Sequence, residues 1–382
     1  MKTLKTLKDI EVLRGVRVLV TTDFNVPIKG GFVADPFRID SAMPTIEYLR
    51  EKGAKIILVS HLQLVDGENG SLQPVADYIN KSGTPVVFLK DWKKAHETIE
   101  NMKDGECILL ENIRFFEGEK KNDPKFSKEL ASLADIFVND AFSVSHRPHA
   151  SIIGVPALLP SYAGLQVEKE IKNLSFAFNP PHPFLFILGG AKFATKLPLL
   201  RKFFDTADSV FIGGAMANDL YRQKGYEIGI SLVSKPDGDE KALDLSEYAN
   251  NPKLILSEDI VNQNKDVKSV RELLKTDKIL DAGPSAIDAL RSVIANAKFI
   301  LWNGPLGLYE EGYSDATLEL AKLIGEATEK GATSIVGGGD TLAAIETLGI
   351  EKKFSFISTG GGAMLDFLAD ESLIGLEFLF DN

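Results

Sequence analysis

Short runs of apolar residues alternate along the chain with longer stretches in which apolar residues recur every three or four positions. The short runs are rich in Val, Ile, Leu and Phe and are bounded by turn-forming residues, as buried strands of parallel sheets are. The longer stretches have the periodicity of amphipathic helices. This alternation predicts repeated βαβ units and therefore an α/β fold built on parallel sheets.

The predicted strands form two sets. The first set lies at 16–20, 55–59, 86–89, 106–110 and 136–138, and the second at 184–188, 209–212, 253–256, 299–301, 334–336 and 354–357. Helices such as 41–52 and 316–330 lie between strands. A helical stretch at 164–178 followed by the breaker Asn-Pro-Pro-His-Pro separates the sets. We predict a first domain at 1–163, a hinge helix and linker at 164–183, and a second domain at 184–366, with the tail 367–382 packing on the first domain.

Composition narrows the functional class. The 382 residues exceed the usual size of one hydrophobic core, and 44% hydrophobic with 25% charged residues is typical of globular domains. The net charge of −11 disfavours nucleic acid and anionic membranes as partners. A single cysteine, Cys107, lies in an apolar strand, and neither a signal-peptide core nor a membrane-spanning run is visible. A cytoplasmic protein is expected.

Basic and polar residues follow the predicted strands of the first half. Because ligands bind beyond the carboxyl ends of parallel strands, these residues are expected to share one rim. The guanidinium fork suits carboxylate and phosphate oxygens, so the rim predicts a site for a small polyanion. Its members are Asp23-Phe24-Asn25, Arg38, His61, Glu111-Asn112-Ile113-Arg114, Asn139-Asp140 and His146-Arg147-Pro148-His149.

Glycine-rich turns follow the strands of the second half. Glycine before a helix lets backbone N–H groups approach phosphate oxygens, so several such turns at one sheet edge predict a nucleotide site. Lys192 and Lys196 are four residues apart and share a face if a helix begins there. Asp340 is a carboxylate within a glycine turn and is the candidate ligand for Mg²⁺. The turns are Gly189-Gly190, Gly213-Gly214, Asn303-Gly304-Pro305, Gly337-Gly338-Gly339 and Gly360-Gly361-Gly362.

Each of these features also has a structural explanation. A single Gly-Gly pair is more often a tight turn than a phosphate contact, and a single arginine is more often part of an ion pair than a ligand arm. His96, His182, Asp205 and Asp208 lie outside the pattern and are interpreted as structural or surface residues. The functional interpretation therefore rests on the full set of motifs.

Taken together, the motifs resemble those of phosphoglycerate kinases over nearly the whole chain. The resemblance implies two Rossmann-like parallel-sheet domains joined by a hinge helix, with a deep inter-domain cleft that closes over the ligands. It also implies reversible transfer of a phosphoryl group between ATP, with Mg²⁺, and 3-phosphoglycerate, by a monomer. The matching segments are 23–27, 38–39, 44–46, 60–62, 111–115, 139–142, 146–147, 189–192 with Lys196, 302–307, 337–341 and 358–363.

The resemblance also implies roles for individual residues. Arg38, Lys192 and Lys196 would be catalytic, and Asp340 would lie near the metal. The implied acceptor-binding residues are Asp23, Phe24, Asn25, Arg38, His61, Leu62, Gln63, Leu64, Arg114 and Arg147. The implied nucleotide-binding residues are Gly189, Gly190, Lys196, Gly213, Gly214, Asn303, Glu310, Gly337, Gly338, Gly339, Asp340, Thr341, Gly360 and Gly361.

The chain departs from the family pattern at four positions. Thr21 and Leu64 stand where the family usually has arginine, Ser143 stands where glycine is usual, and Ala215 replaces the third glycine of a turn. Two lost arginine contacts would weaken acceptor binding by about 3–6 kcal/mol if nothing replaced them. Two alternatives therefore stay open: a kinase that uses a different small carboxylate, and a nucleotide-binding protein without turnover. A nicotinamide dehydrogenase ranks lower, because no Gly-x-Gly-x-x-Gly turn opens a βα unit.

Overall fold

A computed structural model describes residues 3–64, 66–191, 193–234 and 244–381, with only the backbone described for 193–195. The chain divides into two compact units. The first comprises residues 1–172 and 370–382, and the second comprises residues 173–369. Each unit has its own sheet and its own buried core. The fold is therefore α/β with two parallel-sheet domains, as the sequence predicts.

The first unit is built on a six-stranded parallel sheet in the order β5-β6-β4-β1-β7-β8. Its strands are β1 (Arg17–Thr22), β4 (Lys55–Val59), β5 (Val87–Leu89), β6 (Cys107–Leu110), β7 (Ile136–Asp140) and β8 (Ser161–Ala163), with a separate hairpin of β2 (Ile28–Lys29) and β3 (Phe32–Val33). Its helices are α1 (Phe37–Glu51), α2 (Gln73–Lys81), α3 (Ala95–Glu100), α4 (Glu117–Lys120) and α5 (Pro124–Ala131). Val18, Leu19 and Val20 of β1 are fully buried, because helices cover both faces of the sheet.

The second unit contains another six-stranded parallel sheet, in the order β11-β10-β9-β15-β16-β17. The strands of this sheet are β9 (Phe184–Leu188), β10 (Ser209–Ile212), β11 (Leu254–Ile255), β15 (Phe299–Asn303), β16 (Thr333–Gly337) and β17 (Phe356–Ile357). A separate antiparallel sheet in the order β13-β12-β14 is formed by β12 (Asp259–Asn262), β13 (Val267–Ser269) and β14 (Ile279–Ala282). Its helices are α7 (Phe193–Thr206), α8 (Gly214–Gln223), α9 (Ser246–Ala249), α10 (Pro284–Asn296), α11 (Asp315–Glu329), α12 (Gly339–Leu348) and α13 (Gly362–Asp370). The helix α6 (Leu165–Leu174) spans the boundary between the two units in the sequence.

Both sheets reverse their strand order at one point. In the first unit the chain moves outward from β1 on one side and from β7 on the other, and in the second unit it does so from β9 and β15. Ligands bind in such sheets outside the carboxyl ends of the two strands at the reversal. The ends of β1 and β7, and of β9 and β15, are therefore the places to look for chemistry.

The C-terminal segment belongs to the first unit. The 3₁₀ helix Ile374–Leu379 buries Leu376 and Leu379, and Gly375 N donates to Ser145 O at 2.8 Å. Lys5 N donates to Leu379 O at 2.7 Å, which joins the two ends of the chain. No helix in the described residues is long and apolar enough to cross a membrane.

Candidate active site

The loop after β1 forms the base of the rim of basic and polar residues in the first unit. Phe24 is fully buried, and its backbone N–H donates to Ser60 Oγ at 2.9 Å. Ser60 in turn donates to Thr22 O at 2.7 Å, so the loops after β1 and β4 are fixed to each other. Burial of the phenyl ring holds Asp23 and Asn25 on either side of it at the carboxyl end of the sheet.

Asp23 holds Arg38 at this edge. Arg38 Nη1 lies 2.6 Å from Asp23 Oδ2, and the hydroxyl of Ser143 donates to the same oxygen. Burial alone would raise the pKa of Asp23, but the charge of Arg38 and the hydrogen bond from the hydroxyl of Ser143 outweigh burial and lower it. Asp23 is therefore an ionised residue that orients Arg38, and Ser143, which departs from the family pattern, helps to keep it ionised.

Arg114 and Arg147 are neighbouring cations, and neither forms an ion pair within the described residues. Arg114 is 9% exposed, and within the described residues its guanidinium makes no hydrogen bond or ion pair. Burial first, and then the charge of Arg147, lowers the pKa of Arg114. Two neighbouring guanidinium groups that are not paired with a carboxylate repel each other, so binding an anion stabilises this arrangement.

Two histidines of the rim, His61 and His149, are neutral. Burial lowers the pKa of His61 to about 3, and the arginines 114, 147 and 38 oppose its protonation further. Burial, with Arg114 and Arg147, lowers the pKa of His149 to about 4. At neutral pH both rings therefore act as hydrogen-bonding groups and add no positive charge.

The two positions that lack the expected arginine lie in different environments. Thr21 is 3% exposed and donates to Ser151 O at 3.1 Å, so its side chain lies below the rim. Leu64 packs partly buried against the core. The backbone N–H of Gln63 donates to Asn25 Oδ1 at 2.8 Å, which fixes this loop to the loop after β1. Neither Thr21 nor Leu64 offers a cationic group to a ligand.

In the second unit, two glycine turns meet at the carboxyl ends of β9 and β15. Gly189 N donates to Asn303 O at 2.8 Å, and Gly190 N donates to Pro305 O at 2.9 Å. Gly304 has φ +94°, and a Cβ there would collide with Gly189 O. Only glycine permits this approach, because the two backbones are in direct contact.

Lys196 lies beneath the first of these turns. Its Nζ donates to Gly189 O, and burial lowers its pKa to about 8 although Asp340 opposes that shift. Asp340 is exposed in the first turn of α12, and burial followed by Glu310 raises its pKa. Thr341 is fully buried and accepts a hydrogen bond from Gly304 N at 3.1 Å. Lys192 lies outside the described residues.

A cavity of about 320 Å³ opens beside the turns. This volume is within the range of small-ligand pockets. Its walls are mainly apolar and include Tyr221, Ile230, Leu232, Ile260 and Leu308, together with Gly190, Gly213, Gly214, Glu310 and Asp340 from the sequence-predicted set. An apolar cavity that ends in glycine turns can hold a flat base at one end and phosphates at the other.

The family model described as phosphoglycerate kinase matches residues 7–371. The chain belongs to the phosphoglycerate kinase family. A phosphoglycerate kinase of Dictyoglomus turgidum is 44% identical, covering 100% of this chain and 99% of the relative, and one of Thermosipho africanus is 43% identical over 97% and 96%. The solved phosphoglycerate kinase of Coxiella burnetii matches with a TM-score of 0.83 at 34% identity, covering 99% of both chains.

Most residues that the phosphoglycerate kinase resemblance implies are gathered at the two sheet edges. Asp23, Asn25, Arg38 and His61 share the first edge with Arg114 and Arg147, and Gln63 contacts Asn25. Asn303 pairs in register with Gly337 at the ends of β15 and β16, and Gly338 caps α12. The cavity is not lined by Asn303, Thr341, Gly337 to Gly339, Gly360 or Gly361.

Sequence reasoning missed a buried carboxylate under the rim. Glu119 is 2% exposed, and it accepts hydrogen bonds from Ser151 Oγ at 2.7 Å and Ser151 N at 3.0 Å. Burial raises its pKa, although Ser151 and Arg114 oppose that shift. Nothing in the pattern singles it out, because Glu117 two residues earlier is exposed and has the same side chain. The cavity walls from Ile230, Leu232 and Ile260 were missed for the same reason.

Proposed function

We propose that the protein transfers a phosphoryl group reversibly between Mg-ATP and the carboxylate of 3-phosphoglycerate. Family membership makes it a kinase with a carboxyl acceptor. The choice of acceptor rests on two neighbouring guanidinium groups, the buried one of Arg114 and the half-buried one of Arg147, which form no ion pair within the described residues. Two such cations side by side favour a phosphate-bearing anion.

In this proposal the acceptor occupies the rim of the first unit. Arg114 and Arg147 bind the phosphate of 3-phosphoglycerate, and the neutral ring of His61 with the amide of Asn25 binds its hydroxyl group. Arg38, oriented by Asp23, faces the carboxylate and stabilises charge on the phosphoryl group in transit. A carboxylic acid with a pKa of about 4 is ionised at neutral pH, so the acceptor needs no general base.

The nucleotide occupies the second unit. Its base enters the apolar cavity, and its phosphates meet the glycine turns, Lys196 and the N-terminus of α12. Lys192, whose placement the structure does not describe, is the candidate for the transferring phosphoryl group by resemblance. In the direction of ATP formation, the bond between phosphorus and the acyl oxygen breaks and a bond to a terminal oxygen of ADP forms.

Mg²⁺ is expected to travel with the nucleotide. Mg²⁺ prefers a few carboxylate oxygens together with phosphates and water, so a single carboxylate beside a phosphate site fits it. Asp340 is exposed next to the turn that carries Gly338 and supplies such an oxygen. Among the described residues, no group of three or more His, Cys, Asp and Glu side chains is placed to hold a metal ion by itself.

The test is steady-state consumption of ATP with Mg²⁺ and 3-phosphoglycerate, coupled to removal of the acyl phosphate. The wild-type protein should turn over with saturation in both substrates. Arg114→Ala should raise the KM for the acid by roughly 10- to 150-fold, the value of a hydrogen bond to a charged group, and leave the KM for Mg-ATP unchanged. Arg14→Ala removes an exposed arginine of the same unit and should behave as wild type. A folded, ATP-binding protein without turnover would contradict the proposal.

A second candidate is a kinase for a smaller or less anionic carboxylate. It is favoured by the environments of Thr21 and Leu64, which offer no cation at either position. A panel of small carboxylates in the same assay separates the two candidates, because this one requires faster turnover with another acid than with 3-phosphoglycerate. A monomer and a cytoplasmic location stay predictions.

A further inference from the structure

A carboxylate lies next to the anion site without binding its arginine. Glu119 and Arg114 line the same small cavity, of about 10 Å³, together with Thr21, His149 and Ser151. No hydrogen bond or ion pair joins Glu119 to Arg114 within the described part of the chain. Opposite charges in a buried place attract each other, so other contacts of Glu119 are needed to explain why it does not pair with Arg114.

Ser151 holds the carboxylate. Its backbone N–H donates to Glu119 Oε2 at 3.0 Å and its hydroxyl donates to Glu119 Oε1 at 2.7 Å, so both oxygens are engaged by one residue. His149 Nδ1 lies 3.6 Å from Oε1, but burial lowers the pKa of His149 to about 4 and the ring carries no charge at neutral pH. Ser151 is thus the residue that satisfies Glu119.

Thr21 holds Ser151. The hydroxyl of Thr21 donates to Ser151 O at 3.1 Å, which fixes the serine within the π-helical turn Ala150–Gly154. Position 21 is one of the two places where the family pattern has arginine, and here it lines the cavity that contains Glu119. Thr21 thus binds the backbone of Ser151, and the side chain of Ser151 binds Glu119. We call this buried series of contacts, which lies beside Arg114, the relay.

We propose that Ser151 and Thr21 are positioning residues of the acceptor site, which bind the Glu119 carboxylate and thereby keep Arg114 free for the substrate phosphate. The inference rests on the proposed function for the identity of the acid. Without the hydroxyl of Ser151, Glu119 turns toward Arg114 and competes with the substrate for its guanidinium. Loss of the relay therefore weakens the binding of 3-phosphoglycerate, because the carboxylate of Glu119 then occupies Arg114. The nucleotide site is not affected.

A double-mutant experiment tests this relay. Ser151→Ala should raise the KM for 3-phosphoglycerate roughly tenfold or more, the scale of one charge-assisted contact, with the KM for Mg-ATP unchanged. Adding Glu119→Gln to Ser151→Ala should return the KM to near the wild-type value, because the competing charge is gone. Glu119→Gln alone should leave the KM unchanged or lower it. Ser161→Ala removes another buried hydroxyl of the same unit, one that donates to the backbone carbonyls of Pro156 and Leu159, and should leave the KM unchanged.

Other outcomes would overturn the inference. It is contradicted if Ser151→Ala leaves the KM unchanged, if the double variant is no better than Ser151→Ala, or if Glu119→Gln alone raises the KM. Thr21→Val keeps the shape of the side chain and should shift the KM in the same direction as Ser151→Ala by a smaller factor, which supplies a reading if Ser151→Ala fails to fold. Calorimetric binding of 3-phosphoglycerate to the same proteins gives the affinities without turnover, so a wild-type protein that binds but does not react refutes the proposed function and still tests the relay.

Discussion

At the scale of a single residue, the environment of Lys196 predicts how kcat/KM for Mg-ATP depends on pH. Burial lowers the pKa of this amine to about 8, so it carries its positive charge below that pH and loses it as the pH rises. The kcat/KM for Mg-ATP, which reports the free enzyme, should therefore fall above about pH 8. Lys196→Arg stays charged throughout this range and should remove the fall. A wild-type profile that is flat to pH 10, or an equal fall in the arginine variant, would contradict this assignment.

For single residues, the sequence predicts which basic groups lie at the rim but not how burial changes their charge. The basic residues Arg38, Arg114 and Arg147 could be predicted because each follows a strand or a recognisable motif. The sequence places His61 and His149 at the rim but does not give their charge. Burial, together with the neighbouring arginines, keeps both rings neutral. The burial of these two rings depends on the tertiary structure, so no local sequence pattern predicts it.

At the scale of elements, the contact between glycine turns makes a specific prediction. Gly304 and Gly331 have φ values of +94° and +105°, so alanine strains the backbone at both positions. A Cβ at Gly304 also collides with Gly189 O, whereas a Cβ at Gly331 meets nothing within 4 Å. Both alanine variants should lose about 1–3 kcal/mol of stability. Only Gly304→Ala should raise the KM for Mg-ATP, and an equal rise in both would mean that the turn contact does not shape the site.

The elements themselves were predictable where the apolar runs are long. The strands predicted at 55–59, 184–188 and 209–212 are confirmed residue for residue. The helix predicted from residue 41 begins at Phe37, because the side chain of Asp35 accepts a hydrogen bond from the N–H of Phe37. The antiparallel strands β12, β13 and β14 were missed because they are short and carry polar residues. Of these strands, β12 and β14 supply walls of the cavity, so that part of the cavity was missed with them.

At the scale of the whole molecule, the C-terminal segment 370–382 belongs to the first unit, which also contains the N-terminus. Leu379 is fully buried there, and its carbonyl accepts from Lys5 N. Leu379→Ala should lower the free energy of unfolding by about 2–5 kcal/mol, the cost of a cavity in a packed core. Leu158→Ala, at a side chain that is 47% exposed in the same unit, should change it by less than about 0.5 kcal/mol. Urea unfolding of both variants measures this, and equal midpoints would show that the segment does not stabilise the unit.

The central claim is that the two units together move a phosphoryl group between 3-phosphoglycerate and a nucleotide. The most direct measurement is continuous detection of ATP formed from Mg-ADP and 1,3-bisphosphoglycerate, with acetyl phosphate as the comparison donor. The arginine pair predicts saturable ATP formation from 1,3-bisphosphoglycerate and far slower formation from acetyl phosphate, which lacks the second phosphate. Equal rates with both donors, or no ATP from 1,3-bisphosphoglycerate, would contradict the account.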